Sequence, residues 1–202
     1  MDKPTTKDRI LNSALTLFSE KGFDGVGVDL IAENAGIKGP SMYKHFKGKD
    51  DILNALIEKV ENYYQENFGS AGKPGKIPRS MDELIETSLS RIQFTLHDAI
   101  IKKVRKLLTM EQFRNSRIAS LTTKYNIDSV QGLYREIFRQ MMDNGTMKRD
   151  DPVLVAMEFA APVSLFIQMC DREPEREAEA IERIEKYFRR FADENKTDIT
   201  SS

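Results

Sequence analysis

The 202-residue chain has no tryptophan, one cysteine, two histidines and an aromatic content of only 8%. A lone cysteine, Cys170, excludes an intramolecular disulfide, and with so few histidines a cysteine–histidine zinc cluster has no basis. Neither sign of charge dominates: 31 basic side chains face 32 acidic ones, for a net charge of −1. No global basic field advertises nucleic acid, and no acidic excess points to a disordered chain, so any nucleic-acid site has to be local. Long apolar runs are scarce. The opening MDKPTTKDRI lacks the apolar core of a secretory leader. The greasiest stretch, AMEFAAPVSLFIQMC, contains Glu158, Pro162 and Gln168 and falls short of the roughly 20 apolar residues of a membrane span, which predicts a buried helix. The signatures of enzymes are missing too: no phosphate-cradling glycine loop, no paired-histidine metal motif, no nucleophile elbow. Cys170, on an apolar helix just before an acidic run, has nothing nearby to make it a reactive thiolate. These absences lead to the expectation of a cytoplasmic protein with no membrane partner, metal, cofactor or catalytic residue.

What is present is helical periodicity. Ile10, Ala14, Leu17 and Phe18 recur at helical spacing, Thr5 or Thr6 can cap the start, Asp8 suits the first turn, and Gly22 is a stop signal. A short helix fits Val28–Ala35, with Ile31, Ala32 and Ala35 inward and Gly36 ending it. A third begins near Gly39, where Pro40 is tolerated in a first turn. A long fourth starts near Lys49 and carries Ile52, Leu53, Leu56, Val60 and Tyr64 on one side. GSAGKPGKIPRS, residues 69–80, reads as a loop. Further helices fit roughly 81–96, 98–109, 111–124, 128–143, 151–170 and 174–193. No alternation of strand length, internal repeat or low-complexity tract interrupts this pattern.

The stretch GIKGPSMYKHF, residues 36–46, carries the most specific chemistry. Two short helices joined at a glycine and braced by a longer one describe a helix-turn-helix unit, whose second short helix can enter a DNA major groove. Ile37, Met42 and Phe46 are spaced to hold it from inside, while Gly39, Pro40 and Ser41 keep the outer face slim. Lys38, Ser41, Tyr43, Lys44 and His45 supply donors and acceptors, and Lys49 adds a charge at the next helix start. Such helix pairs also occur in proteins that never touch DNA, so the pattern alone leaves a protein-interaction module open.

Residues 7–56 resemble the TetR family of bacterial transcriptional repressors. The order of RILNSALTLFSEKGFDGVGVDLIAENAGIKGPSMYKHFKGKDDIL follows the family: an apolar helix, F-x-x-K-G-F, IA-x-x-AG-I, then Y-x-x-F-x-x-K and an acidic–apolar run. The resemblance implies an all-α fold with an N-terminal three-helix DNA-binding domain, residues 1–48, and a C-terminal helical bundle, residues 49–202, for effector binding and dimerisation. It implies a repressor bound as a homodimer to a palindromic operator of double-stranded DNA and released by a largely apolar small molecule. Ser41 matches the usual threonine of the recognition helix, Tyr43 the tyrosine that typically contacts phosphate, and Lys49 the lysine that meets the DNA backbone. His45 stands where a histidine or aromatic is common. Val26 and Gly27 depart from the usual threonine and serine before the second helix, Asp29 replaces a frequent arginine, and Gly39-Pro40 replaces lysine-glycine. With eight basic and seven acidic side chains in the first fifty residues, these departures imply fewer phosphate contacts.

For the second half the resemblance implies helix order more than chemistry. Ile181, Ile184, Phe188 and Phe191 form one stripe of the last helix, and the preceding helix is apolar nearly all round, so the pair is expected to meet its copy as a four-helix bundle. Phe94, His97, Met110, Phe113, Tyr134 and Phe138 are the candidates for an apolar effector pocket with a few polar anchors.

Overall fold

The structure is a computed structural model and describes residues 3–68 and 74–197. Among the described residues ten α-helices follow one another: α1 (Thr6–Lys21), α2 (Val28–Asn34), α3 (Gly39–Met42), α4 (Lys49–Phe68), α5 (Met81–His97), α6 (Ala99–Glu111), α7 (Ser116–Thr123), α8 (Ser129–Asp143), α9 (Pro152–Arg172) and α10 (Glu177–Asn195). A π-helical turn, Lys124–Asp128, joins α7 to α8, and a 3-10 turn, Pro174–Arg176, precedes α10. Among the described residues there is no strand, only an isolated antiparallel bridge between Met147 and Lys196. The fold is all-α. Residues 69–73 of the expected loop lie outside the described residues, and 74–80 form bends.

The helices divide into two compact units, neither contiguous in sequence: one runs to Asn67 and includes Ala99–Thr122, and the other comprises Phe68–Asp98 and the chain from Thr123. Packing therefore does not divide the chain at residue 48. As a boundary between roles, residue 48 remains a proposal.

In the first unit, Ile10, Phe18, Ile31, Met42 and Ile52 are fully buried, so α1–α4 share one core with Ile101 and Ile118 of α6 and α7. Polar ties accompany it. Lys103 donates to the Thr16 hydroxyl at 2.9 Å, and Arg117 donates to the Asn54 side chain. Thr5, not Thr6, caps α1, its hydroxyl accepting the Asp8 N–H at 3.1 Å. The break between α6 and α7 falls at residues 112–115, later than the sequence spacing suggests. There the Asn115 carboxamide oxygen accepts the N–H groups of Arg117 and Ile118 at 3.0 and 3.2 Å and starts the new helix.

The second unit is built around aromatic side chains of α8, α9 and α10. Phe159 stacks on Phe188 with ring centroids 4.3 Å apart and meets Phe138 edge-on at 5.3 Å. Phe191 packs 4.8 Å from Phe159, and Tyr134 lies 4.7 Å from it. Each such side chain contributes roughly 1.5–3 kcal/mol on burial. The expected dimer stripe is consumed here. Ile184, Phe188 and Phe191 are 2%, 0% and 4% exposed, with Ile181 half-buried beside them, because an isolated α10 has no other way to cover its apolar side. What remains outward on α10 is a ladder of ion pairs, including Lys186–Glu182, Arg189–Glu185 and Arg190–Glu194.

The expectation that residues 156–170 form a buried helix holds for one side only. At 21 residues α9 is long and apolar enough, by length and composition, to cross a membrane. Val155, Ala156, Phe159, Ala160 and Cys170 are buried, whereas Val153, Leu154, Met157 and Leu165 are 51%, 52%, 45% and 68% exposed.

Candidate nucleic-acid interface

The turn between α2 and α3 is built by glycine and by an arginine from α1. Gly36 has φ 64°, a conformation that costs L side chains about 1–2 kcal/mol. Its N–H donates to the Glu33 carbonyl at 2.9 Å and the Ile37 N–H to the Ala32 carbonyl at 3.0 Å, which closes the end of α2. Arg9 donates to the Gly36 carbonyl at 3.1 Å and also to the Ala35 carbonyl, answering acceptors that the helix end leaves open.

The recognition segment, Lys38–His45, is one turn of helix, α3, followed by a further turn. The Phe46 N–H and the His45 N–H both donate to the Met42 carbonyl, at 3.0 and 2.9 Å. Met42 and Phe46 anchor it, at 0% and 3% exposure, and Ile37 is half-buried, so the inner face is the one expected. Outward stand Lys38, Pro40, Lys44 and His45, all exposed, with Tyr43 at 61%; Gly39 and Ser41 are half-buried. This slim face with cationic and hydrogen-bonding tips fits base edges and phosphates. Asp29, on α2, bears on its start: a Cβ added to Gly39 would lie 3.9 Å from the Asp29 carboxylate.

Lys49, expected at the DNA backbone, has a partner within the chain. Its ammonium donates to the Phe23 carbonyl at 2.9 Å and stands 4.4 Å from the centroid of the Phe23 ring. It is half-buried against its own chain rather than extended outward. Gly27, the residue before α2, makes no side-chain cap, and its φ of −91° is open to any residue, so glycine there answers no backbone need.

The six proposed effector residues are divided between the two units. Met110 and Phe113 belong to the first compact unit, and Phe113, in the turn after α6, is 92% exposed. His97 is on the surface at the end of α5, its Nε2 2.9 Å from Glu177 Oε1, because the helix ends there and turns the imidazole toward α10. Phe138 is fully buried in the aromatic core. The Tyr134 hydroxyl donates to Ser88 at 3.1 Å, and burial pushes its phenol above the usual value, the hydrogen bond between the two hydroxyls opposing that only in part. Phe94 is half-buried. An open groove of about 410 Å³ lies elsewhere, between α1 and α4, lined by Asp8, Asn12, Leu56, Lys59 and Tyr63 among others.

Two residues of this region escape a reading of the sequence. Arg9 is one of several charged residues on α1, and nothing in its spacing shows that it reaches 26 positions along the chain. Glu111 is 2% exposed and accepts the Phe23 N–H at 3.0 Å. The available signal is its register: it continues the buried stripe of Val104, Leu107 and Leu108 at helical spacing.

Residues 10–56 match the family model described as "Bacterial regulatory proteins, tetR family". The chain is 29% identical over 151 residues to the biofilm operon icaADBC HTH-type negative transcriptional regulator IcaR of Staphylococcus epidermidis, covering 59% of this chain and 82% of that protein. Its Staphylococcus aureus counterpart is 44% identical over 57 residues, 28% of this chain and 31% of that one. Among solved structures, a SmeT–triclosan complex superposes with a TM-score of 0.70 at 19% identity, covering 96% of this chain and 93% of the other. SmeT is the repressor of the Stenotrophomonas maltophilia multidrug efflux pump SmeDEF.

Proposed function

The chain belongs to the TetR family of bacterial transcriptional regulators, which are not enzymes, and from that premise we propose that it is a repressor that binds a palindromic operator as a homodimer and leaves it when a small molecule binds. The observation that carries this reading is the recognition segment: an exposed run of Lys38, Tyr43, Lys44 and His45 held rigid by buried Met42 and Phe46. Negative regulation is supported by IcaR, named a negative transcriptional regulator, and effector response by the SmeT–triclosan complex. Such a protein acts on DNA in the cytoplasm.

The second copy is proposed to lie against α9. Val153, Leu154, Met157 and Leu165 are exposed at helical spacing, and α10 flanks them with paired charges. Closing that stripe against itself would bury each side chain for roughly 1.5–3 kcal/mol before entropy. A two-fold operator demands two recognition segments about 34 Å apart. An apolar effector that prefers another spacing would shift the population off DNA, and about 1.4 kcal/mol of coupling gives a tenfold loss of affinity.

The test is a mobility-shift titration with DNA from upstream of the protein's own coding region. Ser41→Ala should change the preference among operator variants, and Lys44→Ala should weaken all of them alike. Variants that bind the panel like the parent would sink this placement of the recognition segment.

A further inference from the structure

The peptide of Phe23 is held from both sides. Its N–H donates to Glu111 Oε1 at 3.0 Å, and its carbonyl accepts from Lys49 Nζ at 2.9 Å. The same ammonium covers the Phe23 ring at 4.4 Å, and that ring packs 5.1 Å from Phe18. Glu111 is the last residue of α6 and almost wholly withdrawn from water. A carboxyl group so placed needs a specific partner, and the partner here is a backbone N–H. The chain leaves room for it: Gly22 has φ 75°, and a Cβ on Gly22 would lie 2.7 Å from Glu111 Oε1. Three elements therefore meet at one peptide: the end of α6, the turn that leads into α2, and the start of α4 just past the recognition segment.

We propose that Glu111 and Lys49 are positioning residues for DNA binding, which act through the Phe23 peptide and do not themselves touch DNA. Glu111 fixes the turn before α2, Lys49 ties that turn to the start of α4, and the recognition segment between them takes its attitude from both. The proposal rests on the DNA-binding reading above. It assigns Lys49 a role that differs from a phosphate contact in a measurable way. A lysine that neutralises a phosphate contributes about 0.9 to the slope of log affinity against log salt. A lysine that acts through Phe23 contributes nothing to that slope.

The experiment compares the full-length parent with Lys49→Ala, Glu111→Ala, Glu111→Gln and the double alanine variant. Each is titrated with operator DNA and with a mixed-sequence fragment over a salt series, and its thermal melt is recorded. Each single alanine variant should stay folded and bind operator about tenfold more weakly. The double variant should also lose about tenfold rather than about a hundredfold, because both side chains act on one peptide. Glu111→Gln keeps an oxygen acceptor and should bind within about twofold of the parent. The salt slope should be the same in all five. If Glu111→Ala does not fold, Lys49→Met, which keeps the stem over Phe23 and drops the donor, gives the same slope reading. A slope lower by about 0.9 in Lys49→Ala, with losses that multiply, would put Lys49 on a phosphate and overturn the proposal. Alanine variants that melt earlier yet bind like the parent below their melting point would overturn it as well, leaving a purely structural clamp. A parent that binds no DNA would overturn the DNA-binding reading itself, visibly, before any variant is compared.

Discussion

The Tyr187 hydroxyl donates to the Glu158 carbonyl at 2.5 Å. Pro162 lies four residues beyond Glu158 inside α9 and has no N–H to offer that carbonyl, so a side chain from α10 makes the bond the helix cannot. Burial pushes the Tyr187 phenol up to about 12, which keeps it a donor at any physiological pH. Tyr187→Phe should cost about 1–2 kcal/mol, seen as a lower urea midpoint. In a Pro162→Ala background the helix can supply its own N–H, and the same substitution should cost about half as much. Equal costs in both backgrounds would mean that the hydroxyl is not compensating for the proline.

Arg9 and Gly36 should behave as a unit. Arg9→Ala leaves the carbonyls at the end of α2 without their donor and should cost about 1–2 kcal/mol. Gly36→Ala should cost at least as much, since φ is positive and the new Cβ would stand 3.0 Å from the arginine Nη2. Thermal melts of both variants check this, and a neutral Gly36→Ala would show that the turn relaxes.

Gly27→Thr should help. Nothing lies within 4 Å of a Cβ built there, and φ is −91°. The hydroxyl would cap α2, worth a few tenths of a kcal/mol over glycine, and restricting the unfolded chain adds about 0.4–1 kcal/mol. It also sets an oxygen at the helix start where the family often has one, so operator affinity should rise. A variant that melts no higher than the parent would refute the cap.

The face of α9 should carry dimerisation. Met157→Glu with Leu165→Glu places charges on exposed positions and should give folded monomers with weakened operator binding. Phe188→Glu places a charge in the core and should unfold the second unit instead. Light scattering together with circular dichroism separates the two outcomes, and a folded dimer of the α9 double variant would move the interface elsewhere.

Asp8 should confer acid sensitivity. The Lys59 ammonium, 2.9 Å away, and the Thr5 hydroxyl hold its carboxyl down to about 2. The folded value is thus below the unfolded value of about 3.9, so the contribution is present above pH 4 and is lost as pH falls toward 2. The Asp8 side chain is 42% exposed, so solvent screening limits the contribution to under about 1 kcal/mol. The melting points of parent and Asp8→Asn should differ at pH 6 and converge near pH 2, and a gap that persists there would assign the effect to something other than ionisation.

The sequence by itself determined the helical order, the inner faces of α1 to α4 and the recognition segment. These depend on neighbours three and four residues apart, on a glycine at the turn, and on proline in a first turn, all local physics. Tertiary structure decided which partner each face found. Ile184, Phe188 and Phe191 read as a stripe seeking a mate, and only the position of Phe138 and Phe159 shows that the mate is inside the chain, while Leu154, Met157 and Leu165 of α9 stay exposed. Lys49 read as a cation for phosphate, and only the approach of the Phe23 carbonyl shows what its ammonium holds. Arg9 on Gly36 and Glu111 on Phe23 span 27 and 88 positions of sequence. Periodicity reports which side of a helix is apolar or polar. It cannot say which distant backbone group will lie against a given charge, because that depends on how helices far apart in sequence pack together.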